Sequence, residues 1–168
     1  MARMVEVIID SIRVSLTNQQ RIVVLRQTDV DRYLPIWIGP YEAEAITIAL
    51  QNVEVARPQT HDLLMNVIKR VGGRLVRVEV VALREDVFYG NLVIEIDGNL
   101  MEVDSRPSDA LALAVRARVP ILISQDVMNT AGFEPETEIK DGAPEGGERT
   151  TQKEEAGESS GRLSVFED

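Results

Sequence analysis

Glu102-Val-Asp-Ser-Arg-Pro-Ser-Asp-Ala-Leu-Ala-Leu-Ala-Val-Arg-Ala-Arg-Val-Pro120 decides how the rest of the chain must be arranged. It reads as a strand end, a polar turn and a helix. From Ala110 to Val115 no side chain is polar, so the helix predicted here is buried nearly all round and not along one stripe. Asp104, Ser105, Arg106, Ser108 and Asp109 crowd its start, where a helix leaves backbone N–H groups unpaired and carries a partial positive charge. Capping accounts for such residues, with Ser108 accepting a backbone hydrogen bond and Asp complementing the dipole. An anion site also accounts for them, because helix N-termini and arginine both bind phosphate.

An earlier stretch echoes this one. Arg57-Pro-Gln-Thr-His-Asp-Leu-Leu64 again sets Arg-Pro before a hydroxyl residue, an Asp and an apolar run. Two helices are therefore expected to begin alike, with Thr60 in the place of Ser108. If the two starts share a site, Arg57, Thr60, Ser105, Arg106 and Ser108 are its anion contacts.

Length allows one ordinary domain and an appendage in 168 residues, and 44% hydrophobic content supplies a core. With no cysteine, disulfides, zinc ribbons and thiol nucleophiles are excluded. The net charge of −10 is unevenly spread: Glu134 to Asp168 holds 11 acids and 4 bases, a net of −7, which leaves −3 for residues 1–133. That acidic segment is poor in apolar residues and rich in Gly, Glu, Ser and Thr, so a disordered tail over 134–168 is expected after a domain over 1–133. Met1-Ala-Arg-Met-Val-Glu-Val7 enters a strand pattern without an apolar leader, and no later apolar run approaches a membrane span. A cytoplasmic protein without membrane contact is expected.

Taken in order, Val5, Val7 and Ile9, then Ile12, Val14 and Leu16, alternate with a phase change near Asp10-Ser11, which suits a bulged strand. Arg21–Gln27 returns as its hairpin partner, and Tyr33–Ile38 follows as a strand that Pro35 pushes to an edge. Gly39-Pro40 opens a helix running to about Gln51, and residues 60–71 form another, with Leu63, Leu64, Val67 and Ile68 facing in. Arg74–Arg84 and Val87–Ile96 are strands joined by a two-residue turn, Leu100–Val103 completes a meander, and Val119–Ile123 is a short covered strand beside a parallel neighbour. The pattern predicts an α+β fold: a single compact domain whose mixed, mostly antiparallel sheet packs with about three helices.

Three separated runs also carry a resemblance: Leu34-Pro-Ile-Trp-Ile-Gly-Pro-Tyr-Glu-Ala-Glu-Ala-Ile46, Arg57–Leu64, and Val103-Asp-Ser-Arg-Pro-Ser-Asp-Ala-Leu-Ala-Leu-Ala114. In order and spacing they resemble the bifunctional nuclease family, whose members carry one BFN domain, over roughly residues 4–130. The resemblance implies a compact α+β domain with a mixed sheet, often dimeric, with DNase and RNase activities ascribed to it. It carries over no catalytic assignment.

The residues limit what a nuclease here can use. His61 is the only histidine, which excludes a paired-histidine mechanism within one chain, and Lys69 is the only lysine before the tail and has no acid two residues earlier. Metal and carboxylate chemistry remains, with arginine clamping the anion. Asp104, Asp109, Asp62 and His61 are the catalytic candidates; Asp104, Asp109, Glu42 and Glu44 are the candidates for a divalent metal, Mg or Mn. Nucleic acid and a second copy of the chain are the expected partners, although charge gives nucleic acid little help. A non-enzymatic module binding a nucleotide or another anion, or a regulatory dimer, is the competing expectation.

Overall fold

Two antiparallel meanders, each drawn by its own turn chemistry, are joined edge to edge by one short strand. In the computed structural model, which describes residues 2–135, β1 (Met4–Val14), β2 (Arg21–Gln27) and β3 (Tyr33–Ile38) form the first meander. The second consists of β4 (Gly73–Arg84), β5 (Val87–Ile96) and β6 (Asn99–Ser105). Between them lies β7 (Ile121–Ser124), antiparallel to β1 and parallel to β4, so the seven-stranded sheet has the order β3-β2-β1-β7-β4-β5-β6. The fold is α+β with a mixed, mostly antiparallel sheet. Its helices among the described residues are four, α1 (Pro40–Leu50), α2 (Thr60–Arg70), α3 (Pro107–Ala117) and α4 (Gln125–Ala131). The last, seven residues burying Val127 and Met128, is too short to show a helical period in sequence.

Local chemistry explains the connections. The register of β1 against β2 shifts between Ile9 and Ser11, where the apolar alternation changes phase. Glu85 and Asp86 both take positive φ, 49° and 63°, the twist that a two-residue hairpin loop needs. Asp104 and Ser105 belong to β6 and not to the turn, because Asp104 pairs with Asn91 and Ser105 with Gly90. Gly90 permits this: a Cβ there would stand 3.1 Å from the Ser105 carbonyl oxygen. The turn shrinks to Arg106, the N-cap of α3, with Pro107 as the first helical residue.

Helix α3 is the hub, as its apolar composition requires: Ala110 to Ala114 are each no more than 1% exposed, packed among Leu25, Leu34, Ile46, Val78 and Ile123. Burial on that scale contributes about 2 kcal/mol for each large side chain. Helices α1 and α2 flank α3, and α2 leans on little besides α3 and β4. The expected inward face of α2 is therefore wrong in part: Met65 and Ile68 are buried, whereas Leu63, Leu64 and Val67 are exposed. The apolar stripe is wider than the surface that covers it.

At the sheet edges, β3 exchanges backbone hydrogen bonds of 2.8 Å with Phe133, whose ring stacks on Tyr33 at 5.8 Å. Edge strand β6 exposes Leu100, Met101 and Val103. No helix among the described residues is long and apolar enough to cross a membrane. The tail expected over 134–168 lies, from residue 136 onward, outside the described residues.

Candidate active site

Three helix starts, not two, meet at one open cleft of about 600 Å3. Tyr41, Glu42 and Glu44 reach it from the start of α1, Thr60 and His61 from α2, and Arg106 and Asp109 from the N-cap and first turn of α3. Each N-terminus brings a partial charge of about +0.5, so the backbone alone gives this cleft anion-attracting character.

The echo between the two sequence motifs is a true register. Asp62 and Asp109 are both the third residue of their helices. Each receives a donor from the other helix: His61 Nε2 lies 2.9 Å from Asp109 Oδ1, and Arg116 Nε donates to Asp62 Oδ1 at 2.8 Å. Asp109 and Arg116 are seven residues apart, two helical turns, and so share a face of α3 about 10 Å from one another. Asp62 also accepts the backbone N–H of its own N-cap, Gln59, at 2.9 Å. Arg116 spans three helices, donating through Nη1 to the carbonyls of Ala45 at 3.0 Å and Ala112 at 2.8 Å.

Arg106 joins the remaining acids. Its Nε donates to Asp109 Oδ2 at 2.9 Å and its Nη1 to Glu42 Oε1 at 3.0 Å, while 64% of its side chain stays open to solvent. Gly39 leaves room beside this bridge, because a Cβ there would displace the Glu42 carboxylate. The side chain of His61, by contrast, is 12% exposed.

Charge states follow from these contacts. The Gln59 N–H and then Arg116 hold the Asp62 carboxyl below the usual carboxylate range. Burial pushes Asp109 up, but hydrogen bonds from Arg106 and His61 together outweigh it, and its net shift is also downward. Arg106 is raised, first by its hydrogen bond to Asp109. An ionised Asp109 can only accept, so His61 Nε2 must be the donor in their bond. A neutral His61 then keeps its lone pair on Nδ1.

Of the sequence candidates, His61, Asp109, Arg106, Thr60, Glu42 and Glu44 line this cleft, and Asp62 lies behind His61 in the adjoining one. Arg57 is exposed outside the lining, Asp104 is exposed on β6, Ser105 is half-buried with its Oγ unpaired, and Ser108 is buried. Thr60 and Ser108 do not hold the N-cap positions, which belong to Gln59 and Arg106; the hydroxyls stand one and two residues further in. Tyr41 and Arg116 escaped the sequence reading. Arg116 had a signal: it is the first charge after an apolar run on a helix too buried to carry one without a partner.

A divalent ion fits these donors poorly. Arg106 lies between Glu42 and Asp109, Asp104 is elsewhere, and among the described residues no three of His, Asp and Glu converge as a metal set.

The family model described as "Bifunctional nuclease domain" matches residues 23–136. An uncharacterized protein of Mycobacterium tuberculosis is 44% identical over 128 residues, 76% of each chain. Bifunctional nuclease 1 of Oryza sativa subsp. japonica and Bifunctional nuclease 1 of Arabidopsis thaliana are each 28% identical over 115 residues. Those matches cover 66% of this chain and only 35% of each plant protein.

Proposed function

The chain belongs to the bifunctional nuclease domain family, and from that premise we propose that it hydrolyses phosphodiester bonds of DNA or RNA in the cleft where α1, α2 and α3 begin. The observation that carries the proposal is the meeting of three helix N-termini with Arg106 and the His61–Asp109 pair. A phosphodiester needs an anion cradle, a base for the attacking water and a stabiliser for charge growing on phosphoryl oxygens.

Each role has an occupant. The exposed Arg106 clamps the phosphate with its planar donors, exchanging the Glu42 carboxylate for a phosphoryl oxygen. Asp109 fixes the His61 ring and supports the imidazolium that forms, so His61 Nδ1 serves as the base. Water oxygen bonds to phosphorus as its proton passes to Nδ1, and the bond to the leaving nucleoside oxygen breaks, that oxygen taking a proton from solvent. A carboxylate set for a metal ion would require Arg106 to leave Glu42 and Asp109. The proposed place of work is the cytoplasm. The proposed assembly is a dimer paired through the open β6 edge, where Leu100, Met101 and Val103 are exposed.

Hydrolysis of bis-p-nitrophenyl phosphate and of a labelled oligonucleotide by the wild type, H61Q and D109N is the test. General acid–base catalysis contributes about 100-fold to 10,000-fold, so both variants should lose activity on that scale while keeping their folds. Hydrolysis that survives H61Q would refute the assignment, and phosphate binding without hydrolysis in the wild type would leave an anion-binding module.

A further inference from the structure

A second cleft, of about 420 Å3, opens on the far side of the His61-Asp62 step. Its polar lining is Asn52, Asp62, Asn66, Lys69, Arg116 and Arg118. Three cations face one carboxylate, in a folded part of the chain whose net charge is slightly negative. The first cleft has the opposite balance, with the carboxylates of Glu42, Glu44 and Asp109 against Arg106.

Helix dipoles moderate this contrast without reversing it. The second cleft takes residues from the C-terminal ends of α1 and α3, which bring about −0.5 each, and from both ends of α2, whose partial charges cancel, against a side-chain balance of +2 from Lys69, Arg116 and Arg118 less Asp62. The first takes about +0.5 from each of three N-termini, against −2 from its side chains. The second cleft thus stays positive, and the first is close to neutral. Each cation also sits at a helix C-terminus, Lys69 in the last turn of α2, Arg116 in the last turn of α3 and Arg118 at its C-cap, so complementing those ends accounts for part of the cluster but leaves its net charge positive.

The cations are available. Among the described residues neither Lys69 nor Arg118 has an ion-pair partner, and the hydrogen bonds of Arg116 use Nε and Nη1 but not Nη2. Arg118 is also held in the left-handed region at φ 54°, a conformation that costs an arginine energy and that glycine adopts freely.

We propose that the second cleft, through Lys69, Arg116 and Arg118, holds the backbone phosphates of a nucleic-acid strand whose neighbouring segment lies in the first cleft. This rests on the nuclease reading of the first cleft, but its own test does not need catalysis. Adjacent residues, His61 and Asp62, line the two clefts, and about 10 Å of α3 separates Asp109 from Arg116. A strand bound this way gains its affinity in one place and meets the reacting groups in the other, as proteins that track single strands with a basic groove do.

The test is fluorescence anisotropy of a labelled oligothymidylate against salt, with the full chain carrying K69Q, R118G or both, and R13Q on β1 as a control for general charge loss. Arg118→Gly suits the backbone at that position, so the fold is kept. Each phosphate left without its cation should lower the slope of log affinity against log salt by about 0.7, so the double variant should fall by about 1.4 and R13Q should not change. Hydrolysis of bis-p-nitrophenyl phosphate, too small to reach the second cleft, should match the wild type. No binding by the wild type, an unchanged slope in the double variant, or an equal fall in R13Q would overturn the proposal. H61Q separates the two readings: abolished hydrolysis with an intact salt slope supports both, and intact hydrolysis with the slope dependent on Lys69 and Arg118 removes only the first.

Discussion

Replacing Arg116 by Met tests whether the fold of the site hangs on one side chain. Methionine fills most of the same space, so the change removes hydrogen bonds and charge more than volume. Arg116 is 10% exposed and donates to Asp62, Ala45 and Ala112, while Asp62 keeps 30% of its side chain open. Breaking a fully buried pair costs about 3–5 kcal/mol, and the partial exposure of Asp62 reduces that to about 2 kcal/mol. The Ala45 and Ala112 carbonyls both lie within helical ladders, accepting from residues four further on, so losing the Arg116 contact to either adds little. The total of about 2 kcal/mol corresponds to a fall in Tm of about 7 °C for a domain of this size. Asp62 contributes a sign as well. Its pKa is lowered on folding, so its stabilisation is present above the unfolded value near about 4 and is lost as pH falls through the lower folded value. The variant should lose part of that acid dependence and keep the larger part, because the Gln59 N–H remains. Chemical denaturation of wild type, D62N, R116M and the double variant gives the coupling directly. A cost below about 1 kcal/mol for R116M, or no coupling to D62N, would refute the claim that this pair locks α2 to α3.

The remaining predictions concern the site and the surfaces. Gly39→Ala pushes the Glu42 carboxylate off Arg106, so phosphate should bind several-fold tighter by calorimetry with little change in Tm; weaker binding would deny Arg106 its clamp role. Because Arg106 occupies Glu42 and Asp109, millimolar Mn2+ should leave the Tm of the wild type unchanged, and a rise that D109N abolishes would show that these carboxylates take a metal. Ending the chain at Phe133 removes 11 acids and 4 bases and should strengthen oligonucleotide binding at low salt, with the gain vanishing as salt rises. Val103→Lys places a charge on the exposed β6 edge and should turn a dimer into a monomer in sedimentation equilibrium, whereas a monomeric wild type would remove the β6 pairing.

How much of this was legible in the sequence depended on whether the signal was local. Strands β2, β3 and β5 ended at the expected residues because alternation, Pro35 and the Glu85-Asp86 turn are all properties of adjacent residues. Burial of α3 followed from six consecutive apolar residues. The inward face of α2 did not follow, since three exposed leucine and valine side chains obey the same period as a core stripe and only the absence of a covering element tells them apart. Asp104 was drawn into the turn because strand ends in sequence are marked by polarity, whereas pairing with Asn91 carries β6 two residues further. The site was half legible. Motif repetition pointed to His61, Asp62 and Asp109, but the entry of α1 with Glu42, and the reach of Arg116 across three helices, depend on tertiary geometry.

That geometry explains why the motif recurs. An Asp at the third position of a helix satisfies its own N-terminus, yet a carboxylate has acceptor capacity left for a second partner. When two such helices pack side by side, each can offer that capacity to a donor on the other, and the pair becomes a lock with two bolts. Asp62 uses both bonds for structure, with the Gln59 N–H on one oxygen and Arg116 on the other. Asp109 does not cap its own N–H; its oxygens go to Arg106 and His61, both at the cleft. The same local pattern has therefore been divided, one copy closing the helices together and the other aiming a base and a clamp outward. Asparagine should discriminate the two. At position 62 it should show as reduced stability with catalytic constants nearly unchanged, and at position 109 as reduced activity at nearly unchanged stability. Equal losses of both kinds at the two positions would mean that His61 and Arg106 are held for the fold alone.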